Sequence, residues 1–258
     1  MPKLRIIPRL EVKGENVVKG IRMEGLRVVG KPADLSARYA LDGADEIFFV
    51  DIVASLYNRN HLHELVSAAS KTIFVPLSVG GGVRSIDDIR ALLRAGADKV
   101  TLNTQVCATP EIITEAARTF GAQCIVVSIQ AKRQPDGRWE AYVQNGRERT
   151  RRNAVAWARE VVERGAGEIF LTSVDRDGTR KGLDFELIAA VLGTVSVPVV
   201  VGGGVGSIDE IERAARMGAS GITVAHMLHF KRLTVAEIKA ELARRGIALR
   251  MALAVAHA

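Results

Sequence analysis

VGGGVRSIDDIRALLRAGADKVT (residues 79–101) returns about 120 residues later as VGGGVGSIDEIERAARMGASGIT (residues 201–223), with roughly half of the positions identical. Each copy holds the end of an apolar strand, three glycines, a short turn, an amphipathic helix and the start of the next strand. The same shift lays GADEIF (43–48) over GAGEIF (165–170), and a looser offset lays Glu11, Val12 and Lys13 over Gln130, Ala131 and Lys132. The period is half the chain, far longer than a solenoid repeat. Two related halves, roughly 1–122 and 123–250, are therefore expected within one domain spanning 1–258.

Outward from these copies, apolar runs of strand length alternate with helical stretches along the whole chain. The runs are 4–12, 46–52, 74–79, 99–103, 124–129, 168–174, 197–201 and 221–225. Strand–helix alternation implies parallel pairing, and eight units without a spare edge imply closure. The expected fold is α/β, a (β/α)8 TIM barrel, for which 258 residues is the usual size. Residues 234–245 read as a closing helix, and the Ala-rich tail 251–258 is uninformative.

Composition narrows the class. Apolar residues make up 48% of the chain, enough for one large core. The two cysteines, Cys107 and Cys124, cannot form a disulfide framework, which suggests a reducing, cytoplasmic setting. The first residues show no signal-peptide apolar core, and no run approaches the ~20 apolar residues of a membrane span. The net charge of +7 comes from scattered Lys and Arg, apart from a short run at 147–152, with few aromatics, so nucleic-acid binding is disfavoured. No cofactor is expected. The five histidines, His61, His63, His226, His229 and His257, show no metal-ligand spacing.

The glycine loops carry the first chemistry. Glycine lets backbone N–H groups approach and face an anion. In barrels, phosphate commonly sits where such loops meet a helix N-terminus. Gly81 and Gly82, with Thr104 after the next strand, form one candidate phosphate site. Gly203 and Gly204, with Ala225 and His226, form the other. A glycine triplet can also be no more than a tight turn. Two of them at equivalent places in a repeat favour a long substrate with phosphate at both ends.

RIIPRLEVKGENVVKG (5–20), DEIFFVDIVAS (45–55), VGGGVRS, GADKVTLNT, LTSVDRDGT (171–179) and the paired glycine loops resemble the HisF family, the cyclase subunits of imidazole glycerol phosphate synthase. The resemblance runs in register from about residue 3 to residue 250, and LTS-x-DRDGT separates it from the sister isomerase of histidine biosynthesis. It implies a lyase that closes an imidazole ring. It also implies that a HisH-like glutaminase docks on the N-terminal barrel face and that ammonia crosses the barrel. At the other end ammonia meets a bisphosphorylated ribulosyl aminoimidazole carboxamide ribotide.

In that family two aspartates, ending the first and fifth strands, act as general acid and base. The matching catalytic positions here are Glu11 and Gln130. Glu11 moves its carboxylate by roughly 1–1.5 Å, and a misplacement of that size alone can cost about 100-fold in rate. Gln130 has no titratable proton, and losing a general acid–base group typically costs ~10²–10⁴ in rate. Arg9 stands where a small residue is usual. Strand parity puts Arg5, Ile7, Arg9 and Glu11 on one, inward face. A guanidinium inside a barrel needs a partner, so an Arg9–Glu11 ion pair that narrows the channel is expected. Gly202 and His226 replace the family's serines in the second phosphate loop.

Matched substrate-binding positions are intact: Lys19 in a long first loop, Asp51, Asn103, Thr172 and Asp177 at strand ends. For the two aspartates, capping or loop orientation is the structural alternative. Arg5, Glu46, Lys99 and Glu168 each stand at the start of a strand and alternate in sign. On one barrel end they would form a ring of compensating charges, which the resemblance identifies as the ammonia gate. Asp98 matches a position facing the glutaminase. Three readings follow: a working synthase subunit of a glutamine amidotransferase complex; an altered paralogue passing ammonia to a sugar amidotransferase of surface polysaccharides; or a non-catalytic scaffold that activates the glutaminase.

Overall fold

The computed structural model of the chain describes residues 3–54 and 62–250, so His61, His257 and the Ala-rich tail lie outside the described residues. Eight strands form the barrel: β1 (Arg5–Lys13), β2 (Ile47–Asp51), β3 (Leu77–Gly80), β4 (Lys99–Leu102), β5 (Ile125–Arg133), β6 (Glu168–Ser173), β7 (Val199–Gly202) and β8 (Gly221–Val224). All neighbours pair in parallel, and β1 closes on β8 through Arg5↔Gly221 to Pro8↔Val224. The TIM barrel expected from the alternation is the fold found.

The helices that cover it are α1 (Pro32–Leu41), α2 (Leu62–Ala69), α3 (Ile86–Arg94), α4 (Glu111–Phe120), α5 (Ala154–Glu163), α6 (Phe185–Leu192), α7 (Ile208–Arg216) and α8 (Val235–Arg244). Repeated start signals set their positions. Ser85 with Asp88, Ser207 with Glu210 and Thr234 with Glu237 each form a reciprocal capping box, satisfying N–H groups that the first helical turn leaves open. Among the described residues no helix is long and apolar enough to cross a membrane.

Two of the expected strands start two or three residues later than their apolar runs. The run 74–79 becomes strand only at Leu77, and 197–201 only at Val199. Pro76 and Pro198 are the reason, because proline gives no N–H to a ladder. Each contributes only its carbonyl, to Ile47 N and Ile169 N. Phe74 is left outside the sheet and 93% exposed.

The larger departure concerns the segments after β1 and β5. The sequence reading made the first a long loop carrying Lys19, but it is a two-stranded arm. Asn16–Ile21 and Glu24–Gly30 run antiparallel beyond β1. Trp139–Val143 and Glu148–Asn153 do the same beyond β5. Both arms turn through left-handed residues, Arg22 and Met23 in one, Gln144, Asn145 and Gly146 in the other.

Strand alternation divides the core. Ile6, Leu10, Ile47, Phe49 and Val79 face outward against the helices. Ile7, Phe48, Val126, Phe170 and Val200 make a separate apolar layer inside the barrel. Phe48 and Phe170 meet edge to face, with centroids 4.8 Å apart, a contact worth about 0.5–1.5 kcal/mol beyond area burial.

One buried histidine ties α1 to β1. His229 Nε2 lies 3.2 Å from the Arg9 carbonyl and Nδ1 lies 2.7 Å from the Tyr39 hydroxyl. A carbonyl only accepts, so Nε2 carries the proton and the tyrosine donates to Nδ1. Burial pushes the ring down from 6.5 to about 3. The folded state therefore holds it neutral, whereas the unfolded chain protonates it near 6.5. Stability present above that pH is expected to decline as pH falls from 6.5 toward 3. Urea midpoints measured across this range should show a shallower decline in His229→Gln.

Candidate functional site

The glycine loops follow β3 and β7, at the C-terminal mouth, and both are forced by close approach. Gly81 has φ +107°, and a Cβ there would lie 2.2 Å from the Asp51 carbonyl oxygen. Gly203 has φ +86°, with the Ser173 carbonyl oxygen at 2.6 Å. No other residue type fits either place. Thr104 and His226 begin equivalent one-turn helices after β4 and β8. The repeat thus puts corresponding backbone at opposite sides of one mouth.

The two sides differ in what fills them. On the first, a cavity of about 240 Å3 is lined by Gly81, Gly82, Arg84, Asp51, Asn103, Thr104 and Gln130, with Arg9 and Gln144 on its walls. On the second, Lys19, Asp177, Arg180, Gly203, Gly204, Ala225 and His226 enclose only about 20 Å3, again against Arg9.

Four charged side chains account for the filling. Lys19 Nζ donates to both Glu11 oxygens at 3.1 Å and to Asp177 Oδ2 at 3.0 Å. Arg9 lies 3.1 Å from Glu11 and 3.8 Å from Asp177, with its guanidinium carbon 5.3 Å from the Phe170 ring centroid. Arg9 is inside the barrel and paired with Glu11, as strand parity required. All four are buried. Burial alone would push the Lys19 ammonium down, but Asp177 and Glu11 outweigh it and the net shift is upward. Burial would push Asp177 up, but Lys19 and Arg9 hold it below the ordinary aspartate value.

This cluster seats the first arm across the mouth. Arg22 N donates to the Asp177 carbonyl at 2.7 Å. A Cβ on Gly178 would lie 2.3 Å from Gly20 O, and one on Gly146 3.2 Å from Met23 Sδ, so the two arm tips meet. The second arm is held by Gln144 N donating to Thr104 Oγ1 at 3.3 Å and by the Asn103 amide donating to the Tyr142 and Ser128 carbonyls at 3.4 and 3.0 Å.

The structure brings most of the expected residues to the mouth. Asp51 lines the first cavity while its carboxylate also accepts the N–H groups of Val53 and Ala54, each at 2.9 Å. Gln130 lines the same cavity, its amide oxygen buried without a partner among the described residues. His226 lines the second and stacks on Phe230 at 4.4 Å. Burial, then Arg180, Arg232 and Lys19, lower its pKa. Thr172 and Glu11 line neither cavity: Thr172 is fully buried close behind Gly203, and Glu11 is buried against Arg9 and Lys19. Gln144, Asn145, Thr101, Arg84 and Arg180 line the cavities without having been expected there. The Asn145-Gly146 pair, a strong hairpin signal, could have exposed the second arm.

At the opposite end, Arg5 pairs with Glu46 at 2.7 Å and with Glu168, and Lys99 reaches Glu46 at 3.0 Å and Glu168 at 2.6 Å. The alternating signs close into a ring across the floor. Burial would raise Glu168, but Arg5 and Lys99 hold it low. A void of about 10 Å3 separates the ring from the apolar layer, room for about one water-sized molecule. Asp98, on the rim beside Lys99, is exposed and accepts Leu77 N at 2.8 Å. Among the described residues no group of three or more His, Cys, Asp or Glu could hold a metal ion.

A histidine biosynthesis protein family model matches residues 5–234. The chain is 48% identical over 250 residues to the imidazole glycerol phosphate synthase subunit HisF of Gluconacetobacter diazotrophicus, covering 97% of each chain. It is 50% identical over 247 residues to the subunit of that name from Myxococcus xanthus, covering 95% of this chain and 97% of the other. With that of Legionella pneumophila the identity is 51% over 210 residues, 81% of this chain and 99% of the other.

Removing Lys19 would leave Glu11 and Asp177 sharing one cation. Lys19→Met is expected to cost about 3–5 kcal/mol of stability near neutral pH, measured by urea unfolding. Asp177 sits low when folded, so its share holds above the ordinary carboxylate range and is lost as pH falls through it. The gap between the variant and the parent chain should therefore narrow in acid.

Proposed function

Because the chain belongs to the histidine biosynthesis protein family, as a HisF-type subunit, we propose that it is the synthase subunit of a cytoplasmic glutamine amidotransferase complex. Its mouth binds a ribotide-like ligand with phosphate at both ends. Its floor takes ammonia from a HisH-like glutaminase. The observation that carries this reading is the pair of repeat-related glycine loops at one mouth, with a closed charge ring at the other end of the same barrel.

The roles follow from position. Backbone N–H groups at Gly81–Gly82 and Gly203–Gly204 hold the phosphates, with Thr104, Ala225 and His226 beside them. Asp51, Asn103, Asp177 and Lys19 orient the ligand, and the last two must exchange partners when the first arm lifts to admit it. The floor ring of Arg5, Glu46, Lys99 and Glu168 passes a small neutral molecule. The apolar layer above it favours ammonia over ammonium, since burying an unpaired ion is far more costly than burying a neutral donor. Asp98 and two exposed apolar residues on the αβ side, Leu41 and Phe74, suit a docked partner. Phe74→Asp should weaken glutaminase association about 10-fold or more in titration calorimetry.

Glu11 is the carboxylate left for proton transfer, and Gln130 positions the ligand by hydrogen bonds. That pairing favours a second reading, a paralogue that keeps ligand and glutaminase but passes ammonia to a separate amidotransferase. Turnover of the bisphosphate ribotide by the purified chain with ammonium salt decides between them. The synthase reading expects turnover within about 100-fold of an ordinary cyclase, falling ~10²–10⁴ in Glu11→Gln. Undetectable turnover with the ligand still bound supports the paralogue.

A further inference from the structure

The basic run RERTRR (147–152) has no part in either mouth cavity. It runs into the return strand of the second arm, Glu148–Asn153. With the turn before Trp139 it encloses a separate cleft of about 450 Å3, whose walls include Arg138, Arg149, Arg151, Arg152, Asp136, Glu140 and Trp139. None of these residues lines the mouth. The volume is within the ~300–1,000 Å3 of typical small-molecule sites.

The charges on these walls do not balance. Asp136 is met by Arg138, through Nε at 2.8 Å and Nη2 at 2.6 Å. Glu140 is buried and met by Arg149, through Nε at 3.1 Å and Nη2 at 2.7 Å. Arg152 turns to Glu160 on α5 at 3.1 Å. Even with Glu160 counted, four guanidinium groups face three carboxylates. Arg151 is the one left over. Among the described residues its side chain makes no hydrogen bond and no ion pair, and the Glu140 charge it feels is already forked by Arg149. Arg138 and Arg149 spend Nε and Nη2 on their carboxylates, so each keeps Nη1 for another acceptor.

Arg151 is held there against its backbone preference. Its φ is +60°, a region where glycine is the ordinary occupant and a long side chain is rare. The ladder shifts register between Glu140 and Tyr142, and the Arg151 N–H donates to Glu140 Oε1 at 2.9 Å. That bulge calls for a left-handed residue, which glycine would supply without strain. It does not call for a guanidinium. Strained residues of this kind gather at ligand clamps.

We infer that the cleft is a binding site for a small polyvalent oxyanion, a phosphate or carboxylate compound, gripped by Arg151 and by Nη1 of Arg138 and Arg149. The planar guanidinium suits either acid. The site is distinct from the mouth and does not rest on the ligand proposed there.

Intrinsic fluorescence reports on this cleft, because both tryptophans of the chain lie against it: Trp139 lines it, and the Trp157 ring centroid is 4.5 Å from the Arg152 guanidinium carbon. Neither lines a mouth cavity. The full chain is titrated with pyrophosphate, citrate and acetate at constant ionic strength. A saturable change with pyrophosphate or citrate is expected, at a midpoint about 10-fold or more below that of acetate, and the tighter of the two identifies the acid. Arg151→Gly suits the left-handed backbone, so it should keep or raise the urea midpoint while weakening this binding about 10-fold. Arg94→Ser removes an exposed cation of α3 that lines no part of the cleft and should leave the binding unchanged. No saturable change, equal weakening by both variants, or full affinity in Arg151→Gly overturns the inference.

Discussion

A buried guanidinium on the barrel axis is tolerable only when carboxylates meet it, and that requirement organises the whole mouth. Arg9 draws Glu11 and Asp177 toward it, and these two carboxylates draw Lys19 down from the first arm. Two cations and two anions then satisfy one another away from water. Such a cluster is weak evidence of net stability, because removing the ions from water is costly. It is strong evidence of a fixed geometry, because removing any member leaves an uncompensated buried charge.

The consequence is an inequality between halves built on one plan. The glycine loops, capping boxes, one-turn helices and antiparallel arms recur, so the backbone of the mouth has near two-fold character. The side chains break it. The charge cluster, three of whose four members come from the first half of the chain, crowds the mouth at Gly203–Gly204 and leaves almost no free space there, whereas the side at Gly81–Gly82 keeps an open cavity. Glu11 shows how little chemistry this takes: a carboxylate one methylene longer than aspartate reaches both Lys19 and Arg9. Whatever enters the second half must trade places with ion pairs that the chain makes to itself.

The floor follows the same electrostatic rule with a different result. Arg5, Glu46, Lys99 and Glu168 come from four strands, and each side chain touches two of opposite sign. The four charges compensate one another across the barrel floor. Above it lies an apolar sleeve, and above that Arg9 stacks on Phe170. Charge, apolar layer and charge thus succeed one another along the axis.

Much of this was legible in the chain. The half-length repeat and the strand–helix alternation are local patterns, and they determined the barrel and the paired glycine loops. Period two along β1 put Arg5, Ile7, Arg9 and Glu11 on one face, and the need to neutralise a buried guanidinium anticipated the Arg9–Glu11 pair. Other features depend on partners far apart in sequence. Lys19 read as a loop residue because its strand exists only through pairing with β1 and the arm's return strand. That Thr172 lies buried behind Gly203 could not be read from its strand-end position, which says nothing of what packs in front of it. The difference in volume between the two half-sites arises where Lys19, Asp177 and Arg9 converge from three segments. Periodicity and turn chemistry are properties of neighbours along the chain and determine the scaffold; which buried charges find each other is a property of neighbours in space, and only the tertiary structure decided it.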